Sequence, residues 1–270
     1  MVEVELKFQI PEARRAALLK AIDPKKAQQL QLKAKYYDTA ERLMAQKHAA
    51  LRQRLEGARW IQTLKAAGKS PIERFEHNLD LGELDQAPDL DLTVYSQHPE
   101  AQAILQDALG GRQDQLTLQF ETDIVRTLRV IAFQDAEIEV SLDVGCIRTA
   151  HAEQPVHEVE FELKSGSIQA LLAFSAEWVK KYQLWLDVRS KAELGNLLAL
   201  QQPASPAVKA KEFQLSKKDP ANKNLRLLVA QQLQHLLPNI AAMSAQTAEQ
   251  AHIDEAQQAL HHLQLTLSLF

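Results

Sequence analysis

The chain has 270 residues, 46% of them hydrophobic, with a net charge of −4 and a pI near 6.2. That length suits one large domain or a domain with an appendage; the acidic balance argues against a nucleic-acid binder, which would carry a basic excess. A single cysteine, Cys146, excludes an internal disulfide and fits a reducing, cytoplasmic setting, while the opening MVEVELKFQI reads as neither a signal peptide nor a membrane span.

MVEVELKF places Val2, Val4, Leu6 and Phe8 on one side and Glu3, Glu5 and Lys7 on the other, the period of a strand with one apolar and one charged face. Pro11 opens a short helix over PEARRAALLKAI. LQLKAKYYD reads as a strand, and Asp38 or Thr39 caps a helix in ERLMAQK. AALRQRLEG, RWIQTLKA and PIERFEHNLDL follow as strands, with turns at Gly57 to Arg59 and Ala67 to Ser70. HPEAQAILQDALG is a helix stopped by Gly110 and Gly111. QLTLQFETDIVRTLRVIAF, AEIEVSLDVG, CIRTAHA and PVHEVEFELKSG return to strand patterning, with Cys146 in an expected hairpin after Gly145. SIQALLAFSAEWVKKY reads as a helix, LWLDVRSK as a last short strand, and Lys191 to about Leu200 as a helix. QQPASPAV opens a linker over 201–218, and 219–270 is helical, with leucines at three- and four-residue spacing.

Charged residues at alternate positions of one strand ordinarily mean a half-buried strand with a wet face. Here the pattern recurs with both signs. Glu3, Glu5 and Lys7 are followed by Arg52 and Arg54, Lys65, Arg74 and Glu76, Arg126, Glu139 and Asp143, then Glu158, Glu160 and Glu162, and finally Arg189 and Lys191. Three carboxylates at i, i+2 and i+4 repel one another and need a cation. Hard divalent metals bind through carboxylate oxygens, and arginine and lysine suit phosphate oxygens. Turned into a closed barrel, these faces would make a polyanion-and-metal site; on an open sheet they would make a soluble surface.

The EVELK of Glu3, Glu5 and Lys7 resembles the ExExK signature of the CYTH superfamily, the triphosphate tunnel metalloenzymes. YYDT at 36–39, LRQRLE, TLK at 63–65, Arg74-x-Glu76, SLDVG at 141–145, EVEFELKSG at 158–166 and SK at 190–191 resemble further landmarks of that family, in the same order. The resemblance covers about residues 1–200 and implies an α+β fold, an eight-stranded antiparallel β-barrel or tunnel with peripheral helices, followed by a short helical segment. It implies an inorganic triphosphatase of the bacterial type that cleaves triphosphate to pyrophosphate and phosphate with Mg²⁺ or Mn²⁺. Lys7, Arg52, Arg54, Lys65, Arg74, Arg126 and Lys191 would bind the small-molecule triphosphate. Glu3, Glu5, Glu139, Asp143, Glu160 and Glu162 would hold the metal, and Lys7, Glu5 and Glu76 would act in catalysis. The alternatives are a nucleoside or thiamine triphosphatase, an adenylyl cyclase, or a non-catalytic polyphosphate-binding module, the last needing fewer carboxylates.

The tail over 219–270 resembles a short, divergent start of the helical CHAD domain, with His261, His262 and Gln264 where basic residues would be expected. The plainer reading is a helical hairpin that packs on the barrel or pairs with a second subunit as a homodimer. The nine histidines show no HExxH or paired Cys/His spacing, and Trp60, Trp178 and Trp185 read as packing residues.

Overall fold

The computed structural model describes residues 4–67 and 74–268. Glu3 therefore lies outside the described residues, as does the expected turn beyond Ala67. The chain divides into two compact units, one running to Leu184 and including Lys191–Leu200, the other comprising Trp185–Ser190 and the residues from Gln201 onward.

The first unit is α+β. Eight strands form one antiparallel sheet: β1 (Glu5–Gln9), β2 (Gln28–Asp38), β3 (Ala49–Glu56), β4 (Arg59–Ala67), β5 (Arg74–Glu83), β6 (Thr117–Phe133), β7 (Ala136–Arg148) and β8 (Glu153–Ser165). They lie in the order β5-β4-β3-β2-β6-β7-β8-β1, so the N-terminal strand returns to pair with β8. Each stretch read as a strand before Gly166 lies in this sheet, with two of them merged into β7. Cys146 sits inside β7 rather than in a hairpin, because CIRTAHA continues the preceding strand as far as Arg148.

The sheet's back face is apolar. Phe161 of β8 meets Phe174 edge-on at 5.2 Å and Trp178 at 5.4 Å, both on helix α4 (Ile168–Tyr182). Edge-to-face ring pairs of this kind add about 0.5–1.5 kcal/mol beyond the area they bury. Leu51 and Leu64, on the same face of β3 and β4, pack with Met44, Tyr95, Leu105 and Leu109. Met44 belongs to α2 (Leu43–Gln46), Leu105 and Leu109 to α3 (Pro99–Leu109). Asp38 and Thr39 serve the expected cap: Asp38 accepts from the amides of Met44 and Ala45 at 2.9 and 3.0 Å, and Thr39 Oγ1 from that of Leu43 at 3.3 Å. Helix α1 (Arg15–Ile22) buries Leu18 and Ile22.

Helix α5 (Lys191–Ala199) packs against β6 and β7. Its Leu194 joins Phe120, Ile124, Ile147 and Val156 in a separate buried cluster. A Cβ on Gly195 would lie 2.2 Å from the Phe120 ring, so a side chain there would push the helix off.

Within LWLDVRSK the chain is extended only at β9 (Trp185–Leu186), which belongs to the second unit. The carboxylate of Asp187 accepts from the backbone amide of Arg189 at 3.0 Å and from its guanidinium at 2.9 and 2.8 Å, a local closure that competes with strand pairing. Helices α6 (Ala221–Ser244) and α7 (Gln250–Leu267) pack through Leu236, Ala256 and Ala259. No described helix is long and apolar enough to cross a membrane.

Candidate active site on the charged sheet face

Residues directly opposed on neighbouring strands share a face, as do i and i+2 on one strand. The register therefore settles the lining. Glu5 opposes Glu162, Lys7 opposes Glu160 and Gln9 opposes Glu158. Across β7, Glu162 opposes Glu139, Glu160 opposes Ser141 and Glu158 opposes Asp143. Asp143 opposes Arg126, and Arg126 opposes Leu30 of β2. On the far side Tyr36 opposes Arg52, Arg52 opposes Thr63, and Lys65 opposes Glu76. One face thus carries charged residues from every strand except β2, whose share of it is Leu30, Leu32, Ala34 and Tyr36. Lys33 and Lys35 of β2 point to the other face.

The densest part lies on β6–β8. Arg126 grips Asp143 with two hydrogen bonds, Nε and Nη2 each donating at 2.7 Å, and Nη2 also donates to Glu160 at 2.5 Å. Lys191 reaches in from the first turn of α5. Its ammonium contacts Asp143 at 2.7 Å, Glu160 at 3.2 Å, and Glu158. Lys7 lies 3.5 Å from Glu158, to which Gln9 also donates at 3.4 Å. The Asp143 and Glu158 side chains are 0% exposed and that of Glu160 14%. Carboxylates so withdrawn from solvent belong to an enclosed lining, not to a wet outer face.

Burial by itself would push the Asp143 carboxyl upward. The hydrogen bonds from Arg126 and the charge of Lys191 outweigh it, and the group titrates below the ordinary carboxylate range. Burial likewise opposes the charged forms of Arg126 and Lys191; their acidic neighbours win, and both stay protonated.

Further along the same strands stand Glu5, Glu139 and Glu162. Ser141 Oγ donates to Glu139 at 3.1 Å, and Lys164 lies 3.1 Å from Glu162 and 4.0 Å from Glu139. Beyond the apolar β2 is a third group. Lys65 pairs with Glu76 at 2.6 Å, Asn78 donates to Glu76 at 3.1 Å, and Thr63 Oγ1 donates to Asn78 at 2.7 Å. Desolvation raises the Glu76 pKa, and the bonds from Lys65 and Asn78 bring it below its usual value. Arg52 Nη2 donates to Thr63 at 3.5 Å, while its Nε is buried without an acceptor, a donor that a phosphate oxygen would satisfy. Arg54 pairs with Glu56. The backbone of Arg74 pairs with Ala67.

The candidates named from the sequence therefore divide. Lys7, Arg126, Asp143, Glu160 and Lys191 form one connected cluster, Glu5, Glu139 and Glu162 oppose one another beside it, and Arg52, Lys65 and Glu76 lie across β2. Glu158, for which the pattern suggested no role, is among the most deeply buried acids. Gln9, Ser141 and Asn78 were not singled out; their signal was the period of two, which carries each onto the charged face between or beside charged neighbours. Cys146 is half-buried, with the Arg148 guanidinium 3.4 Å from its sulfur. Burial is the main cause of its raised pKa, as for an inert thiol.

The chain is 33% identical over 170 residues to an inorganic triphosphatase of Haemophilus influenzae. That stretch is 62% of this chain and 46% of the relative, so the chain spans about half the length of the curated relative it matches. Among solved structures, a Bacillus halodurans protein provisionally named an adenylate cyclase is 18% identical, over 72% of this chain and 96% of that one, with a TM-score of 0.49. A Hippeastrum protein, provisionally named an adenylyl cyclase and described as having a dominant triphosphatase activity, is 17% identical over 74% and 96%, also at 0.49. The family profile of the CYTH domain matches residues 1–195, well over half of the chain; with the ordered charged strands found above, the chain belongs to the CYTH domain family.

Proposed function

We propose that this chain hydrolyses inorganic triphosphate to pyrophosphate and orthophosphate, with Mg²⁺ or Mn²⁺ as cofactor. The observation that carries the reading is the single sheet face on which Lys7, Arg52, Lys65 and Arg126 stand among carboxylates, with Lys191 reaching onto it from α5. The relationship to an inorganic triphosphatase supports the choice of substrate. A linear polyanion with three phosphoryl groups suits a row of cationic donors, because each phosphoryl group presents several acceptors.

Lys7, Arg126 and Lys191 hold phosphoryl oxygens at one side of the face, and Arg52 and Lys65 hold the other end of the substrate. Glu76 stays ionised beside Lys65 and orients that ammonium. Glu5, Glu139 and Glu162 offer the hard oxygen donors that Mg²⁺ and Mn²⁺ prefer, and Glu3 lies two residues before Glu5 in sequence. Bound there, the ion supplies charge neutralisation at the transferring phosphoryl group and lowers the pKa of a coordinated water.

The test is phosphate release from triphosphate, ATP, thiamine triphosphate and pyrophosphate, each with Mg²⁺, with Mn²⁺ and with chelator. Triphosphate should turn over fastest, and chelator should stop it. Absence of turnover with every substrate would sink the enzyme reading; preference for ATP or thiamine triphosphate would shift it to those alternatives. Lys7→Ala should lower kcat/KM about a hundredfold, the scale of losing one preorganised charge-stabilising donor, in a chain that circular dichroism still shows folded.

A further inference from the structure

Among the described residues, Asp143, Glu158 and Glu160 form the one group of acids whose oxygens all lie within 4.8 Å of one another. Such convergence invites assignment as the metal site. The contacts argue otherwise. The ammonium of Lys191 touches all three carboxylates. Arg126 occupies both oxygens of Asp143 and one of Glu160, and Lys7 stands against Glu158. Three negative charges face three positive ones, so the cluster is balanced as it stands. A divalent ion placed there would leave an excess of two positive charges in a buried pocket, or would expel Lys191.

We propose that Asp143, Glu158 and Glu160 hold no metal and are positioning residues that fix Lys7, Arg126 and Lys191 as a ready-made phosphate cradle. This rests on the reading that the face binds a triphosphate. Long basic side chains lose rotamer freedom on gripping a ligand, and holding them beforehand moves that cost into folding. Arg126 shows the result: Nε and both N–H groups of Nη2 are engaged by carboxylates, and the two N–H groups of Nη1 remain for an incoming oxygen. Buried carboxylates are costly unless paired, and here each has a cation. The divalent ion is left to the neighbouring acids, Glu162 among them.

Two binding titrations on the full chain separate the roles: Mn²⁺ alone, read from the free-ion resonance signal, and inorganic triphosphate in chelator, read by calorimetry. Asp143→Asn and Glu158→Gln should keep Mn²⁺ affinity within about twofold and weaken triphosphate at least about tenfold, the scale of a lost charge-assisted hydrogen bond. Glu162→Gln should do the reverse. In turnover, Asp143→Asn should raise KM far more than it lowers kcat. If Asp143→Asn or Glu158→Gln weakens Mn²⁺ as strongly as Glu162→Gln does, the three acids are metal ligands and the proposal is wrong. Failure of the unaltered chain to bind triphosphate in chelator would also overturn it. Absence of turnover alone would remove the hydrolase reading and leave both titrations decisive. Glu160→Gln, at the least buried of the three, serves if the other variants do not fold.

Discussion

Asp143 has no exposed side-chain surface and takes both of its oxygens' bonds from cations. Its folded pKa lies below the ordinary value of 3.8, so the unfolded chain binds this proton more tightly than the folded one. The stability the group contributes is therefore present above that value and drains away as pH falls below it toward the folded pKa. Urea unfolding of the unaltered chain and of Asp143→Asn should show a stability gap at pH about 6 that narrows steadily below pH about 4. Parallel pH profiles would mean that the pairing with Arg126 and Lys191 contributes nothing through this titration. Residue identity alone carried much of this cluster: Lys7, Arg126, Asp143, Glu160 and Lys191 stand out as charges at strand-alternate or family-matched positions. What it did not carry was who pairs with whom. Lys191 is 33 residues from Glu158 and on a helix, and no local pattern announces that contact.

At the level of elements, α5 does two jobs. Its apolar side, through Leu194, seals the Phe120, Ile124, Ile147 and Val156 end of the charged face, and its first residue delivers Lys191 to the acids. The helix can come so close only because residue 195 lacks a side chain. Gly195→Ala should cost about 1–3 kcal/mol, the usual penalty for overpacking a tight contact, and should also raise KM for triphosphate by displacing Lys191. A stability change with KM untouched would separate the seal from the lysine. The strand runs were legible because period two survives in sequence, and the caps at Asp38 and Gly110 because their chemistry is local. The inward side of β2 was not. Its Lys33 and Lys35 look like lining charges until the register to β3 sets them opposite Leu55 and Gln53, on the other face. The end of β9 was missed for a related reason: Asp187 and Arg189 look like strand alternation but bond to each other.

On the scale of the whole molecule, each unit has its own core. The charged face and the clusters around Met44, Phe120 and Phe161 are built from residues before Leu200. The helical unit relies on buried polar contacts: His235 with Glu255 at 2.8 Å, Asn239 donating to the Val208 and His235 carbonyls at 2.9 and 2.8 Å, and His252 against the Ser205 carbonyl at 2.9 Å. The stretch read as a linker is thus tied to α6 and α7 at Ser205 and Val208. A chain ending at Leu200 should keep its strand signal in circular dichroism and its triphosphate turnover. In the full chain, Asn239→Ala should lower the melting of the helical signal while turnover persists; it removes the side-chain bonds to the Val208 amide and carbonyl and to the His235 carbonyl, at about 1–3 kcal/mol. Loss of turnover in the shortened chain would show that the helical unit takes part in the reaction.

The return of β1 to β8 has a consequence for synthesis. Glu5 waits for Glu162, and Lys7 for Glu160. A ribosome adding roughly 5–20 residues per second needs roughly 8–30 s to cover that interval. Throughout it, Leu6 and Phe8 lack their partners on β8, and nascent-chain chaperones have a defined window and a defined segment to shield.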